Sequence, residues 1–469
     1  MEKGASRRAH AVLVSSPGMG HLTPLLGLAN RLSSLHSFKV TILFVSSGGA
    51  THAPVREGGG DISVVKIPAA DISNIVDPGA HLVVKICALM RETTPSIRKV
   101  ICGLREPSPT MVILDLFAVG YLSIARELAL PCYVLVASAW CVAYHAYSPV
   151  LDKCTDDGEF LNIPGCKPLR REDVIEAMTQ RNEPQYTEFM HIGALIPLFD
   201  GVITRSWQDL EGSTLAALRE GSILQVPVYD IGPIVVEEPY STNTDDDMLL
   251  MEWLDRQPAQ SVIYVSFGSG GTLSKAQMKE LAWGLELSQQ RFVWVVRQPV
   301  DHDSSGTYLG LKGDDRDDMD TYFPPGFKEK THGVGMLVPQ WAPQSKVLSH
   351  PSVGGFLTHC GWNSIMESLS KGVPMLAWPM FAEQRMNAAL LVEEVKVAVR
   401  PSELGREEIA KTVRSLFEGE EACRLRCRAK HLQREAAQAL TPNGSSYNHV
   451  TAGGNEERVG RSDCVVSIS

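Results

Sequence analysis

Short runs of consecutive apolar residues recur along the chain, and between them the apolar positions fall every three or four residues. Ala9–Ser15 (AHAVLVS), Lys39–Val45 (KVTILFV), Ser63–Ile67, Thr110–Leu116 (TMVILDL) and Cys132–Ala137 (CYVLVA) have the first pattern and predict buried strands. The turn Ser16–Gly20 follows the first of them and leads into a helix expected from about Leu22 to Leu35. Val202–Thr204 and Val228–Tyr229 are expected to close the same sheet. Strands that are apolar throughout and joined by helices imply a parallel sheet covered on both faces.

The pattern breaks at Val236–Asp247 (VEEPYSTNTDDD), a polar, acidic, Pro-containing stretch that suits an exposed linker. It then restarts. Ser261–Phe267 (SVIYVSF), Arg291–Val296 (RFVWVV), Gly335–Pro339, Val353–Thr358 and Val373–Trp378 predict strands. Lys275–Ser288, Ser364–Ser370, Ala382–Val395 and Glu407–Gly419 predict helices. The expected fold class is α/β, with two doubly wound parallel-sheet domains facing each other. Their expected bounds are 1–240 and 241–450, followed by an irregular tail over 451–469.

Composition narrows the function. A chain of 469 residues, 44% hydrophobic and 21% charged, can fill more than one core, so global disorder is excluded. A net charge of −10 disfavours a nucleic-acid binder driven by phosphate attraction. The N-terminal apolar run is too short for a secretory leader, and no stretch is long and apolar enough for a membrane span. The cysteines Cys87, Cys102, Cys132, Cys141, Cys154, Cys166, Cys360, Cys423, Cys427 and Cys464 form no CxxC pair, so they read as reduced, mostly buried thiols. A soluble cytosolic protein is expected, with the Asn443-Gly444-Ser445 sequon unused. Asp301–Asp320, which contains DDRDD, reads as a solvated loop rather than a metal site.

The densest chemistry lies between Trp341 and Gln384. The strand ending at Thr358 is followed by His359-Cys360-Gly361-Trp362-Asn363-Ser364, where a helix begins. Ligands of open α/β sheets bind where strand ends meet helix starts, and free N–H groups at a helix start suit a phosphate. Ser364-Ile365-Met366-Glu367 also fits a capping box, which needs no ligand. Trp341, Gln344, His359, Trp362, Glu383 and Gln384 are more than one cap requires.

This segment resembles the signature box of the plant family 1 UDP-glycosyltransferases: it opens on Trp341, carries HCGWNS and closes on Gln384. PGMGHLTPLL, LDLF, IGP, EWLDRQP and SVIYVSFGS fit the same family, so the likeness covers nearly the whole chain. FGSGGTL and WPMFAEQRMNA look closest to the subgroup that glucosylates hydroquinones and monolignols. The resemblance implies a GT-B fold of two facing Rossmann-like domains, with the nucleotide sugar on the second. It implies that Trp341 stacks on uracil, that Ala342 and Gln344 lie by base and ribose, and that Glu367 accepts from the ribose hydroxyls. His359, Gly361, Asn363 and Ser364, with Ser269, would hold the diphosphate. Trp362, Glu383 and Gln384 would read the sugar, a final Gln pointing to glucose. Glu383 stands where Asp is commoner in the family.

His21 follows Pro17-Gly18-Met19-Gly20 where a strand turns into a helix, and Thr23 occupies the third glycine position of a dinucleotide fingerprint. An imidazole beside the positive end of a helix dipole is favoured in its uncharged form and can take a proton from a hydroxyl. Asp115 ends a buried strand, where a carboxylate must be satisfied by local N–H groups or by a partner. The resemblance implies the second, with Asp115 orienting His21 as base.

One displacement by an acceptor oxygen, with UDP leaving, would invert an α-linked donor to a β-glucoside. No metal or other cofactor is implied beyond UDP-glucose as co-substrate. Asp245–Asp247, a DxD-like triplet, is placed in the linker and set aside as a metal site. Acceptor-pocket candidates are Phe117, Trp140, Tyr144, Phe189, Ile192 and the Gly-rich Ser46–Gly60, and Ser138 could supply a hydroxyl near the donor glucose. The leading expectation is a monomeric O-glucosyltransferase of small phenolic or flavonoid-type acceptors. C-glucosylation of polyphenols through the same site stays open, as does a non-catalytic UDP-sugar-binding protein.

Overall fold

A computed structural model describes residues 8–46, 61–153, 158–236, 245–301 and 319–451. Most of the Gly-rich loop, the DDRDD loop, part of the expected linker and nearly all of the C-terminal tail lie outside those residues. The chain divides into two compact units, one of residues 1–171, 177–236 and 438–469, the other of 172–176 and 237–437.

The first unit runs β1 (His10–Ser15), α1 (Met19–His36), β2 (Lys39–Ser46), β3 (Ile62–Pro68), α2 (Leu82–Gly103), β4 (Met111–Asp115) and α3 (Leu122–Glu127). It continues through β5 (Cys132–Val136), α4 (Ala139–Lys153), a short antiparallel pair β6 (Phe160–Leu161) and β7 (Leu169–Arg170), α5 (Pro184–Leu195), β8 (Gly201–Thr204), α6 (Gln208–Arg219) and β9 (Val228–Asp230). Seven strands pair in the order β3-β2-β1-β4-β5-β8-β9, all parallel. Every residue of β1, β4 and β5 is buried, as a sheet covered on both faces requires. The strand order reverses between β1 and β4, so the turns leaving those two strands flank the crevice where such sheets bind ligands.

The second unit runs α7 (Asp245–Asp255), β10 (Val262–Ser266), α8 (Lys275–Ser288), β11 (Arg291–Val296), α9 (Phe327–Lys330), β12 (Gly335–Pro339) and α10 (Gln344–Ser349). Then come β13 (Val353–Thr358), α11 (Trp362–Lys371), β14 (Met375–Ala377), α12 (Gln384–Ala389), β15 (Ala398–Val399), α13 (Arg406–Ser415) and α14 (Gly419–Ala439). Its six strands pair parallel in the order β12-β11-β10-β13-β14-β15, with the reversal between β10 and β13. Phe267, Phe292, Trp294, Phe323, Phe327 and Trp378 fill its core.

Some elements depart from expectation for local reasons. Asp245–Asp247 are not linker but the first turn of α7, where carboxylates suit the positive end of the helix dipole. The helix expected from Ala382 starts two residues later, because Ala382 is left-handed (φ 56°), and it widens into a π-helical turn over Leu390–Glu394. The helix expected to reach Gly419 stops at Ser415, and Gly419 (φ 77°) opens α14. A last helix, α15 (Ser445–Thr451), belongs to the first unit. Among the described residues no helix is long and apolar enough to cross a membrane, and no described cysteine is in a disulfide.

Asp230 holds that last helix. Its buried carboxylate pairs with Arg219 and with His449 Nδ1 at 2.8 Å, and Ser446 Oγ donates to it at 3.3 Å. Asp230→Ala is expected to destabilise the first unit by about 1–3 kcal/mol, because Arg219, His449 and Ser446 lose the buried acceptor they share. Limited proteolysis should then cut within 438–451 well before the parent protein is cut there. An unchanged cleavage pattern and melting temperature would show that the cluster holds nothing.

Candidate active site

In the first unit the chemistry gathers at the reversal of strand order. The chain leaves β1 through Ser16 and turns at Gly18, whose φ of 101° strongly favours a residue without Cβ. That turn starts α1 at Met19, earlier than expected, and sets His21 in its first turn. Asp115, only 3% exposed, ends β4 beside it. One carboxylate oxygen accepts from the N–H groups of Phe117 (3.1 Å) and Ala118 (2.9 Å). The other accepts from Ser16 N–H at 2.7 Å and Ser16 Oγ at 2.5 Å, and lies 3.4 Å from His21 Nδ1. Local satisfaction and pairing with His21 therefore hold together. At 3.4 Å the imidazole contact is looser than the bonds from Ser16 to the same oxygen.

Aromatic rings line up behind this pair. Half-buried Phe117 meets His21 edge-on with centroids 5.3 Å apart, and meets Phe189 at 6.0 Å. Phe189 stacks on the buried His145 at 5.1 Å. Trp140, Tyr144, Phe189 and Ile192 are buried, so among the described pocket candidates Phe117 is the aromatic residue that is part-exposed. Ser138 is buried too, its Oγ accepting from Cys141 N–H at 3.1 Å at the start of α4.

In the second unit three turns converge at the carboxyl edge of the sheet: Phe267–Leu273 after β10, Gln340–Pro343 after β12 and His359–Gly361 after β13. His359 is wedged between two glycines. A Cβ on Gly268 would come within 2.4 Å of its ring, and one on Gly361 also within 2.4 Å. Its Nδ1 is buried without a hydrogen-bond partner. Cys360 takes a left-handed conformation (φ 65°), held because Thr358 Oγ1 accepts its N–H at 3.2 Å and Asn387 Nδ2 donates to its carbonyl at 3.0 Å. Gly361 then caps α11, leaving N–H groups of the first turn toward the edge, where Asn363 is half-buried.

The capping-box reading of Ser364–Glu367 is overturned. Gly361, not Ser364, is the cap residue, so Ser364 already lies inside the first turn. Gln344 Nε2 instead donates to Ser364 Oγ at 3.0 Å and to Glu367 Oε2 at 2.9 Å, tying α10 to α11. Trp341, at 45% exposed, offers an open ring face, whereas Ala342 and the side chain of Trp362 are buried. Ser269 is exposed at the tip of its turn. Glu383 is half-buried at the start of α12. Gln384 is buried, its Oε1 accepting from the N–H groups of Met380 (2.9 Å) and Phe381 (3.1 Å). Those two bonds fix the amide, so Nε2 is its outward end.

Sequence reasoning missed the supports. Ser16, Asn387 and Glu211, which accepts from Ala139 and Trp140 N–H, act through backbone geometry. The segment Glu172–Glu176 is far in sequence from the second unit yet belongs to it: Asp173 pairs with Arg400 at 2.6 Å, and Glu176 N–H donates to Ala382 O at 2.9 Å. Among the described residues no group of three or more metal-ligating side chains gathers.

Among solved structures, the protein is similar to that of Phytolacca americana UGT2 complexed with UDP-2-fluoro-glucose and pterostilbene. The TM-score is 0.84 at 35% identity, over 96% of this chain and 99% of that one. That likeness, with two parallel α/β units, defines a sugar-transferring enzyme of the GT-B fold class. Residues 239–426 match the family described as UDP-glucoronosyl and UDP-glucosyl transferase. Anthocyanidin 3-O-glucosyltransferase 5 of Manihot esculenta is 45% identical over 96% of this chain and 95% of its own length. Hydroquinone glucosyltransferase of Rauvolfia serpentina is 38% identical over 93% and 95%. The chain belongs to the plant family 1 UDP-glycosyltransferases.

Two histidines are held uncharged. Burial pushes His145 down to about 4 from an ordinary 6.5, and burial together with the Arg297 cation does the same to His359. A histidine whose folded pKa lies below its unfolded one supports folding fully above about pH 6.5 and loses that support as the pH falls through about 4. Imidazole NMR at pH 5.5 should find both rings neutral; either one titrating near 6.5 would contradict this.

Proposed function

We propose that the protein is an inverting glucosyltransferase that moves glucose from UDP-glucose to a hydroxyl of a small phenolic or flavonoid-type acceptor. The assignment rests above all on His21, with Nδ1 held toward the buried Asp115. Asp115 keeps the proton of the ring on Nδ1, so Nε2 is the nitrogen that takes the acceptor's proton. The bond from acceptor oxygen to the anomeric carbon forms as the bond from that carbon to the β-phosphate oxygen breaks. The electron pair leaves on UDP, the proton goes to His21, and an α-linked donor becomes a β-glucoside.

On the donor side, the exposed Trp341 ring supplies a stacking face for uracil, with Ala342 and Gln344 beside base and ribose. Glu367, oriented by Gln344, accepts from the ribose hydroxyls. The first turn of α11 with Gly361, His359, Asn363, Ser364 and Ser269 binds the diphosphate, where oriented N–H groups are favourable. Glu383 accepts from sugar hydroxyls and Gln384 Nε2 donates to them, while buried Trp362 backs the sugar. Phe117 offers a ring edge for the acceptor beside His21, backed by Phe189, with Trp140, Tyr144 and Ile192 as further pocket candidates; Ser138 stays a candidate hydroxyl near the glucose. Relatives named for anthocyanidin and hydroquinone, both phenols, support that acceptor class. The protein works as a cytosolic monomer with no resident cofactor.

Incubation with UDP-glucose and a panel of phenols and flavonoids, with products assigned by NMR, tests this. A β-O-glucoside is expected. An α-linkage would rule out direct displacement, and a bond to a ring carbon would rule out O-transfer. His21→Ala should lower kcat by about 10²- to 10⁴-fold, the usual contribution of a general base. UDP affinity should be unchanged. Trp341→Ala should instead weaken UDP binding about tenfold or more, as lost base stacking does.

A further inference from the structure

Arg297 directly follows β11, at the carboxyl edge of the second sheet, and is a half-buried cation. Its Nε donates to Gln340 O at 3.2 Å, and among the described residues no carboxylate pairs with it. Burial lowers its pKa, the mark of a guanidinium short of counter-charge. A cation in such a place is costly unless something negative meets it. It lines a small pocket with Ser266, Gly268 and Thr272 under the turn after β10. Thr272 is 2% exposed and its Oγ1 has no hydrogen-bond partner. His359, whose Nδ1 is likewise unpartnered, lies close enough to feel the Arg297 charge.

The Nη groups of Arg297, the Thr272 hydroxyl and His359 Nδ1 thus border one corner of the sheet edge with hydrogen-bonding capacity to spare. The groups assigned above to the diphosphate are all uncharged at neutral pH: N–H groups, hydroxyls, the Asn363 amide and the neutral His359 ring. A diphosphate carries several negative charges.

We propose that Arg297 is the cation that meets the diphosphate of the nucleotide sugar. The planar guanidinium matches two phosphoryl oxygens at once, with its Nη groups as donors while Nε stays on Gln340 O. This rests on the donor site proposed above.

Calorimetric titration of UDP and of uridine into the parent protein, Arg297→Lys and Arg297→Met tests it. Uridine shares the base and ribose contacts but has no phosphate. The Met variant should bind UDP about 10- to 100-fold more weakly, the usual loss of a hydrogen bond to a charged group. Its uridine affinity should not change, and added salt should weaken its UDP binding less than it weakens the parent's. The Lys variant should fall between, keeping the charge but not the fork; should the Met variant not fold, the Lys variant decides by the same split. Unchanged UDP affinity overturns the proposal. So does an equal loss for UDP and uridine, which would mean that Arg297 only shapes the turn leading to Trp341. A parent protein that binds neither ligand would instead sink the donor site itself, and this residue's role with it.

Discussion

A carboxylate at 3% exposure persists in a protein interior only where donors meet its lone pairs, and Asp115 shows how strictly that condition shapes the first unit. Two of its donors are the N–H groups that follow it, so the chain must turn at once after β4. Two more come from Ser16, so β1 must end level with β4. With β1 and β4 adjacent and parallel, the turn at Gly18 then delivers His21 to the remaining side of the same carboxylate. The imidazole is placed by the needs of a buried charge, and its chemistry follows from that placement.

The second unit meets a different constraint. The His359 ring must fit between the turns after β10 and β13, and it fits only because Gly268 and Gly361 carry no side chains. Cys360 bears the strained conformation, and Thr358 and Asn387 fix it from either side. The result is an edge lined by N–H groups, hydroxyls and the neutral His359 ring, where among the described residues no carboxylate pairs with the Arg297 guanidinium. On the donor site proposed above, such preorganisation would let a polyanion bind without rearranging the protein.

Most strands and several helices were legible in the sequence because burial on both faces leaves continuous apolar runs, as in Val262–Ser266 and Arg291–Val296. The helix over Lys275–Ser288 matched its expected bounds, its Ser274 cap and Gln277 forming a full capping box. The same signature misled at Ser364–Glu367, since a motif of two polar residues cannot say which residue turns first; Gly361 does. Boundaries slipped wherever a left-handed residue intervened, as at Ala382 and Gly419. The family resemblance supplied the roles proposed for His21 and Gln384, which composition and periodicity alone do not give.

By itself the sequence determined what each segment would bury and which polar groups stand at strand ends, because periodicity and residue type are local properties. The tertiary structure alone decided which of those ends become neighbours. Ser16 and Asp115 are nearly a hundred positions apart, Gln344 and Glu367 lie on different helices, and Asp173 leaves its own sequence neighbourhood to pair with Arg400. Such pairs form because parallel strands bring their carboxyl ends to one edge, an ordering set by how the whole sheet packs and not by any stretch of chain.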